Sequence, residues 1–349
     1  MAGLKTAVLL IAYRRPDLTQ RVLERLEQIA PVRLYVALDG PASTEVAADC
    51  RDVKALVERC RLPQGKVLMN VAPRNLGCAE RVRTAIDWVF EQEDQALILE
   101  DDTLPGLGWF AWAERMLERY REDASVGMVS ARNPLMRWPD HGAGHLKSRF
   151  STIWGWGTWK NRWTAHRASP NANPDEVKQQ WIDEPEIGAF RAFLADSNAG
   201  ERLDTWDVGW AVWQESKRLS NIVPASNWVE NLGFDARGTH LTVQDDPRGS
   251  LPCLTPNDPD VLQDAANFDR LCLLNELMCN GALHHPRKWA LLARNAEQVR
   301  LPGANEAWWA LLLPFRRPAE SSMLLNHLIQ QWGSDPPSKW VELNQILTR

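Results

Sequence analysis

The N-terminal part of this chain alternates between two hydrophobic periods, and that alternation restricts the fold more than any other feature. Continuous apolar runs stand at Thr6–Ala12, Val32–Leu38, Val67–Val71 and Ala96–Leu99. Short runs without polar alternation are the pattern of strands covered on both faces. Between them apolar residues fall at helical spacing: Leu18, Val22, Leu23, Leu26 and Ile29 after Pro16, then Val46, Cys50, Val53, Val57 and Cys60, then Val82, Ile86, Val89 and Phe90. Strands and helices in repetition predict right-handed crossovers, hence an α/β fold with a mostly parallel, Rossmann-like sheet flanked by helices. A fifth strand is expected within 127–133, and Pro224–His240 reads as strand and loop.

In open sheets of this kind ligands bind beyond the carboxyl ends of the strands. The sequence places Tyr13-Arg14-Arg15 there after the first strand and Asp39-Gly40-Pro41 after the second. Arg74-Asn75-Leu76-Gly77 follows the third, and the fourth runs directly into Glu100-Asp101-Asp102. Adjacent carboxylates repel one another unless a cation neutralises them. Mg²⁺ or Mn²⁺ is typically held by one or two carboxylates, with water and substrate phosphates completing its shell. Strand alternation turns Glu100 and Asp102 to one side and Asp101 to the other, so a single metal would meet Asp102 more readily than all three.

Eighteen tryptophans against three tyrosines call for an account of where the indoles stand. In the segment from Ser151 to Trp163, glycines alternate with Trp154, Trp156 and Trp159. The glycines would allow close approach, and aromatic faces suit the apolar faces of sugars, so these three are candidate acceptor platforms. Trp206, Trp210 and Trp213 share one helical face, the spacing of a buried stripe, with Asp207 beside it and Asp204 three residues earlier.

A length of 349 residues, 44% hydrophobic content and a net charge of −5 describe a soluble globular chain and argue against general affinity for nucleic acid. Six irregularly spaced cysteines without a CxxC fit a reduced, cytoplasmic protein, and Cys272, Cys279, His284 and His285 match no usual zinc spacing. No apolar stretch reaches the roughly 18 residues of a membrane span, so any membrane contact would be peripheral. The proline-rich stretch Asp245–Pro259 reads as a linker or surface excursion. The expected division is therefore a catalytic domain over 1–245, then a linker and helical extension over 246–349.

The ordered series IAYRRPDL, VALDGP, NLG, LILEDDTLPGLGWF, SARN, the Gly/Trp segment, TWDVGWAVW and NLGFDARGTH resembles the nucleotide-sugar glycosyltransferases of GT-A fold. The likeness is greatest to bacterial relatives of N-acetylglucosaminyltransferase I and to family 2-like sugar transferases, and it covers about residues 5–240. The resemblance implies a metal-dependent, inverting transfer from a nucleotide sugar, a UDP-sugar first, to a carbohydrate or lipid-linked acceptor, in polysaccharide biosynthesis. It implies that Asp102 of the EDD motif ligates Mn²⁺ (or Mg²⁺); His240, in the glycine-bearing polar loop GFDARGTH, is read from its setting as a further metal or phosphate partner. Glu100 and Asp101 would hold the nucleotide end, Arg15 and Asp39 would lie against nucleoside and phosphates, and Arg74 and Asn75 would join the donor site. Asp207 would be the catalytic base, although Val208-Gly209 stands where the family usually has a second carboxylate.

Each residue also has a plainer reading. Arg15 can simply project from a surface helix, Asp39-Gly40 is an ordinary turn dipeptide, and His240 can be structural. Two other functions compete: a sugar-phosphate nucleotidyltransferase, which would want a glycine-rich loop after the first strand where YRRPDL has none, and a catalytically silent carbohydrate-binding protein using the tryptophans.

Overall fold

The computed structural model describes residues 3–138, 142–201, 205–234, 237, 246–265, 267–295 and 310–348. The expected units are present at nearly the expected positions: β1 (Ala7–Ala12), α1 (Pro16–Ile29), β2 (Arg33–Leu38), α2 (Ala47–Arg59), β3 (Lys66–Val71), α3 (Cys78–Gln92) and β4 (Gln95–Glu100). Then follow β5 (Thr103–Pro105), α4 (Leu107–Arg119), β6 (Val126–Ser130), β7 (Ala143–Ser148), β8 (Trp156–Trp159) and α5 (Lys160–Ala168). After α6 (Pro174–Gln180), α7 (Pro185–Ala199) and α8 (Asp207–Ser216) come β9 (Ser220–Pro224), β10 (Val229–Asn231), β11 (Asn257–Leu262) and α9 (Phe268–Leu277). Further helices occupy Pro286–Asn295, Leu313–Arg316, Pro318–Trp332 and Ser338–Leu347.

One nine-stranded sheet runs β11-β7-β9-β6-β8-β4-β1-β2-β3. The strands β1 to β4 are mutually parallel, while β8 lies antiparallel between β4 and β6. Alternate residues of each strand enter separate cores, as the two-residue period of a strand requires. Val8 and Leu10 pack with Val22 and Leu26 of α1, Val53 and Val57 of α2, and Trp109, Phe110 and Met116 of α4. Ala7, Leu9 and Ile11 pack on the other face with Val82, Ile86 and Val89 of α3 and with Trp163 and Trp210.

The expected boundary at 245 does not coincide with a break in packing. β11 lies in the stretch expected to be a linker, and it pairs with β7 in the main sheet. A third core joins Leu135, Met136, Leu146, Phe150 and Val223 to Leu271, Leu274, Leu325 and Trp340 from the C-terminal part. The helical C-terminal part is thus built onto the sheet. None of the six cysteines is in a disulfide, and among the described residues no helix is long and apolar enough to cross a membrane.

Candidate functional site

The order β3-β2-β1-β4 reverses direction between β1 and β4, and such switch points leave a crevice where the two following loops part. Arg15, at the foot of α1, reaches across it. Its guanidinium donates to both Asp101 and Asp102, the latter at 2.9 Å. The Tyr13 N–H donates to Asp101 at 3.2 Å. Burial opposes the charge on Arg15, yet the two carboxylates hold its pKa above the ordinary value.

Asp39 serves the neighbouring loop. Its carboxylate accepts from Gly40 N and Leu76 N at 2.9 Å, from Asn75 Nδ2 at 3.0 Å and from Gly77 N at 3.2 Å. With four donors on it, Asp39 holds the 75–77 loop in place at the mouth of α3. Asn75 also donates to Gly40 O at 3.0 Å, and Arg74 is exposed beside it.

The short β5–β10 pair carries residues 229–233 past Asp102, whose carbonyl accepts from Leu232 N at 2.7 Å. Gly233 is required there, because a Cβ would collide with the Asp102 carboxylate. Glu100 and Asp102 line a cavity of about 330 Å³, and Asp207 lines the same cavity from the first turn of α8. An acid at that position is favoured by the helix dipole, and Thr205 Oγ1 donates to its carboxylate. Burial and then the charges of Asp102, Asp101 and Asp207 push the Glu100 carboxyl up to about 8, so these groups share one electrostatic environment.

The acceptor platform expected from three tryptophans reduces to one. Trp156 is 1% and Trp159 is 3% exposed, and both rings belong to the cores. Trp156 stacks on Trp206 at 5.6 Å, and Trp159 Nε1 donates to Leu117 O at 3.1 Å. The glycines of this segment serve the sheet, not a ligand: Gly155 turns the chain at φ +66° where a Cβ would press on Pro105 and Ala131. Trp154 does line the cavity, but the Arg132 guanidinium lies over its ring at 3.9 Å. Trp206, Trp210 and Trp213 form the buried stripe that their spacing indicates. His240 and Asp204 lie outside the described residues.

Sequence reasoning missed Arg132, Arg248 and Glu276, all on the cavity wall. Arg132 sits just past β6, in the SARN segment, which entered the resemblance without a role for its arginine. Arg248 and Glu276 come from the part read as linker and helical extension.

No family model matches the chain, no curated protein matches it, and the closer relation to N-acetylglucosaminyltransferase I gains no support. Among solved structures it is similar to a UDP-glucose pyrophosphorylase complexed with UDP-glucose, at 8% identity and TM-score 0.30 over 64% of this chain and 91% of that one. It is similar to a mannose-1-phosphate geranyltransferase from Thermus thermophilus, at 12% identity and TM-score 0.31 over 63% and 75%. A putative glucose-1-phosphate thymidylyltransferase from Bacillus anthracis is similar at 12% identity and TM-score 0.34 over 74% and 98%. Identities and TM-scores this low assign no function to this chain.

Proposed function

We propose that this chain is a metal-dependent, inverting glycosyltransferase that moves a sugar from a nucleotide-sugar donor, a UDP-sugar first, to a hydroxyl of a carbohydrate or lipid-linked acceptor. The observation that carries this reading is Asp207 standing in one cavity with the strand-end carboxylates Glu100 and Asp102. Two sets of acidic groups from distant parts of the chain suit two roles, one toward the donor and one toward the acceptor.

The residues at the β4 end fit a divalent cation shared with a diphosphate. Glu100, Asp101, Asp102 and Asp207 influence one another, and Arg15 is the guanidinium paired with two of them. Among the described residues no three His, Cys, Asp or Glu side chains are grouped to hold an ion by themselves. Mg²⁺ and Mn²⁺ sites that borrow ligands from water and phosphate have this incomplete character. Asp102 would be the protein ligand, through the carboxylate oxygen that Arg15 leaves free. When bound, the cation would offset charge developing on the departing diphosphate.

Arg15 fixes the rotamer of Asp102, and Asp39 keeps the 75–77 loop ordered beside the nucleotide end. Asp207 accepts the proton of the acceptor hydroxyl as that oxygen bonds to the anomeric carbon and the bond to the diphosphate breaks, with inversion. Trp206 behind Asp207 keeps that wall dry.

A second reading, sugar-phosphate nucleotidyl transfer, is favoured by the arginines in the cavity, which a sugar phosphate would meet. Against it, α1 begins at Pro16 directly after Tyr13-Arg14-Arg15, with no glycine to cradle a triphosphate. Incubation with UDP-, GDP-, dTDP- and CMP-sugars and Mn²⁺ separates the two. Release of nucleoside diphosphate, with Mn²⁺-dependent thermal stabilisation by the same donor, supports glycosyl transfer. Pyrophosphate release from nucleoside triphosphate and sugar phosphate supports the alternative, and no Mn²⁺-dependent nucleotide binding at all would leave the carbohydrate-binding reading.

A further inference from the structure

The cavity has two polar ends, and the proposed chemistry uses only the acidic one. At the other end stands Arg132, with its Nε shielded from solvent and without a hydrogen-bond partner. No ion pair of Arg132 with any described carboxylate is present; its cationic group lies over Trp154. Next to it Arg248 is already neutralised, since Asp246 accepts from its Nε at 3.0 Å and from Nη2 at 2.6 Å. Glu276 of α9 supplies an Oε2 that is likewise shielded and unpartnered among the described residues. Asn275 Nδ2 donates to Pro134 O at 3.2 Å and ties α9 to the segment carrying Arg132.

These groups are not an accident of a polar surface. A shielded guanidinium N–H without an acceptor is costly, and so is a shielded carboxylate oxygen without a donor. Burial and then Arg248 push Arg132 down to about 10, so it remains charged at neutral pH. The groups that bear most on it are Arg248, Cys279, Glu276 and Cys272, whereas those that bear most on Glu100 are Asp102, Asp101, Asp207 and Arg15. Arg132 and Glu100 thus answer to different neighbours, while Arg191 on the same wall feels both Glu276 and Asp207.

We infer that the Arg132 end is the acceptor subsite and that it takes an acidic sugar, whose oxyanion meets the Arg132 fork while a neighbouring hydroxyl donates to Glu276. A guanidinium matches carboxylate and phosphate geometry through two parallel donors. A shielded carboxylate beside it calls for hydroxyl donors, and an anionic sugar carries both on one ring. The C-terminal part of the chain thereby gains a role, because α9 and the 246–250 turn build the wall that selects the acceptor. The acceptor assignment rests on the glycosyl-transfer reading, whereas the anion site stands on its own geometry.

The test uses the full chain and calorimetry with three probes: D-glucuronate, glucose 6-phosphate and neutral glucose. At least one anionic sugar should bind wild type at least tenfold more tightly than glucose, and which one does distinguishes carboxylate from phosphate. Arg132→Gln should erase that preference, keep UDP–Mn²⁺ affinity, and melt no lower than wild type because a shielded donor without an acceptor is gone. Arg132→Lys keeps the charge without the fork and should retain a weakened preference. Equal affinity for glucose and both anionic sugars, or a preference that survives in Arg132→Gln, overturns the anion site. Competition between the anionic sugars and UDP–Mn²⁺ overturns the acceptor assignment and gives Arg132 to the donor. Intact anionic-sugar binding in a protein that does not bind any nucleotide sugar overturns the glycosyl-transfer reading alone.

Discussion

Asp102 Oδ2 is positioned where the Arg15 guanidinium and the bare backbone of Gly233 converge on it. Gly233→Ala is expected to push the carboxylate aside, weakening Mn²⁺-dependent donor binding at least tenfold, about 1.4 kcal/mol or more, with little change in melting temperature. Calorimetry beside a thermal melt checks both parts. Asp102→Ala should abolish that binding outright, since an alanine cannot ligate the cation. His166 is a different kind of residue: it is buried among Trp163, Trp210 and Trp213, and burial lowers its pKa from 6.5 to about 4. The unfolded chain binds a proton there below about 6.5 and the folded chain only below about 4. Its contribution to stability is complete above pH 6.5 and is lost as pH falls toward 4, up to about 3 kcal/mol. Denaturant melts of wild type and His166→Phe across that window should converge by this difference; parallel curves would show that the ring titrates normally.

At the scale of elements, the hydrophobic periods of the sequence locate β1 to β4, α1 and α2 within a residue or two and find the buried face of α3, which starts four residues earlier at Cys78, because a buried strand and an amphipathic helix announce themselves locally. The carboxyl-end clustering of Arg15, Asp39, Asn75 and Glu100 to Asp102 followed from the parallel order alone. What the sequence did not disclose was β8. Its Gly/Trp alternation fits an exposed platform as well as an internal strand, and only the non-local insertion between β4 and β6 decides. Trp156→Ala should therefore cost about 3–5 kcal/mol of stability, as removal of a large core ring does. A melting temperature near that of wild type with loss of acceptor use would restore the platform reading. The role of Arg132 within SARN was similarly invisible, because one charged residue past a strand carries no signal until α9 packs beside it.

For the whole molecule the C-terminal part is the main revision. Composition marked Asp245–Pro259 as a linker, yet prolines are also tolerated in a strand at the edge of a sheet, which is where β11 lies. A fragment ending at residue 245 would leave Leu135, Met136, Leu146, Phe150 and Val223 without their partners in the third core. It is expected to lack a cooperative melting transition, and a fragment that melts cooperatively near the wild-type temperature would show the first part to be autonomous. The two-ended cavity depends on that same assembly, since its acidic end comes from β4 and α8 and its basic end needs α9. The account turns on the division of labour between Asp102 and Asp207, and the most direct test is the single-turnover transfer rate of Asp207→Asn at saturating donor and Mn²⁺. The rate should fall on the order of 10²–10⁴-fold while calorimetry finds donor affinity unchanged. Full turnover in this variant, or loss of donor binding as severe as in Asp102→Ala, would contradict the assignment of Asp207 as the base.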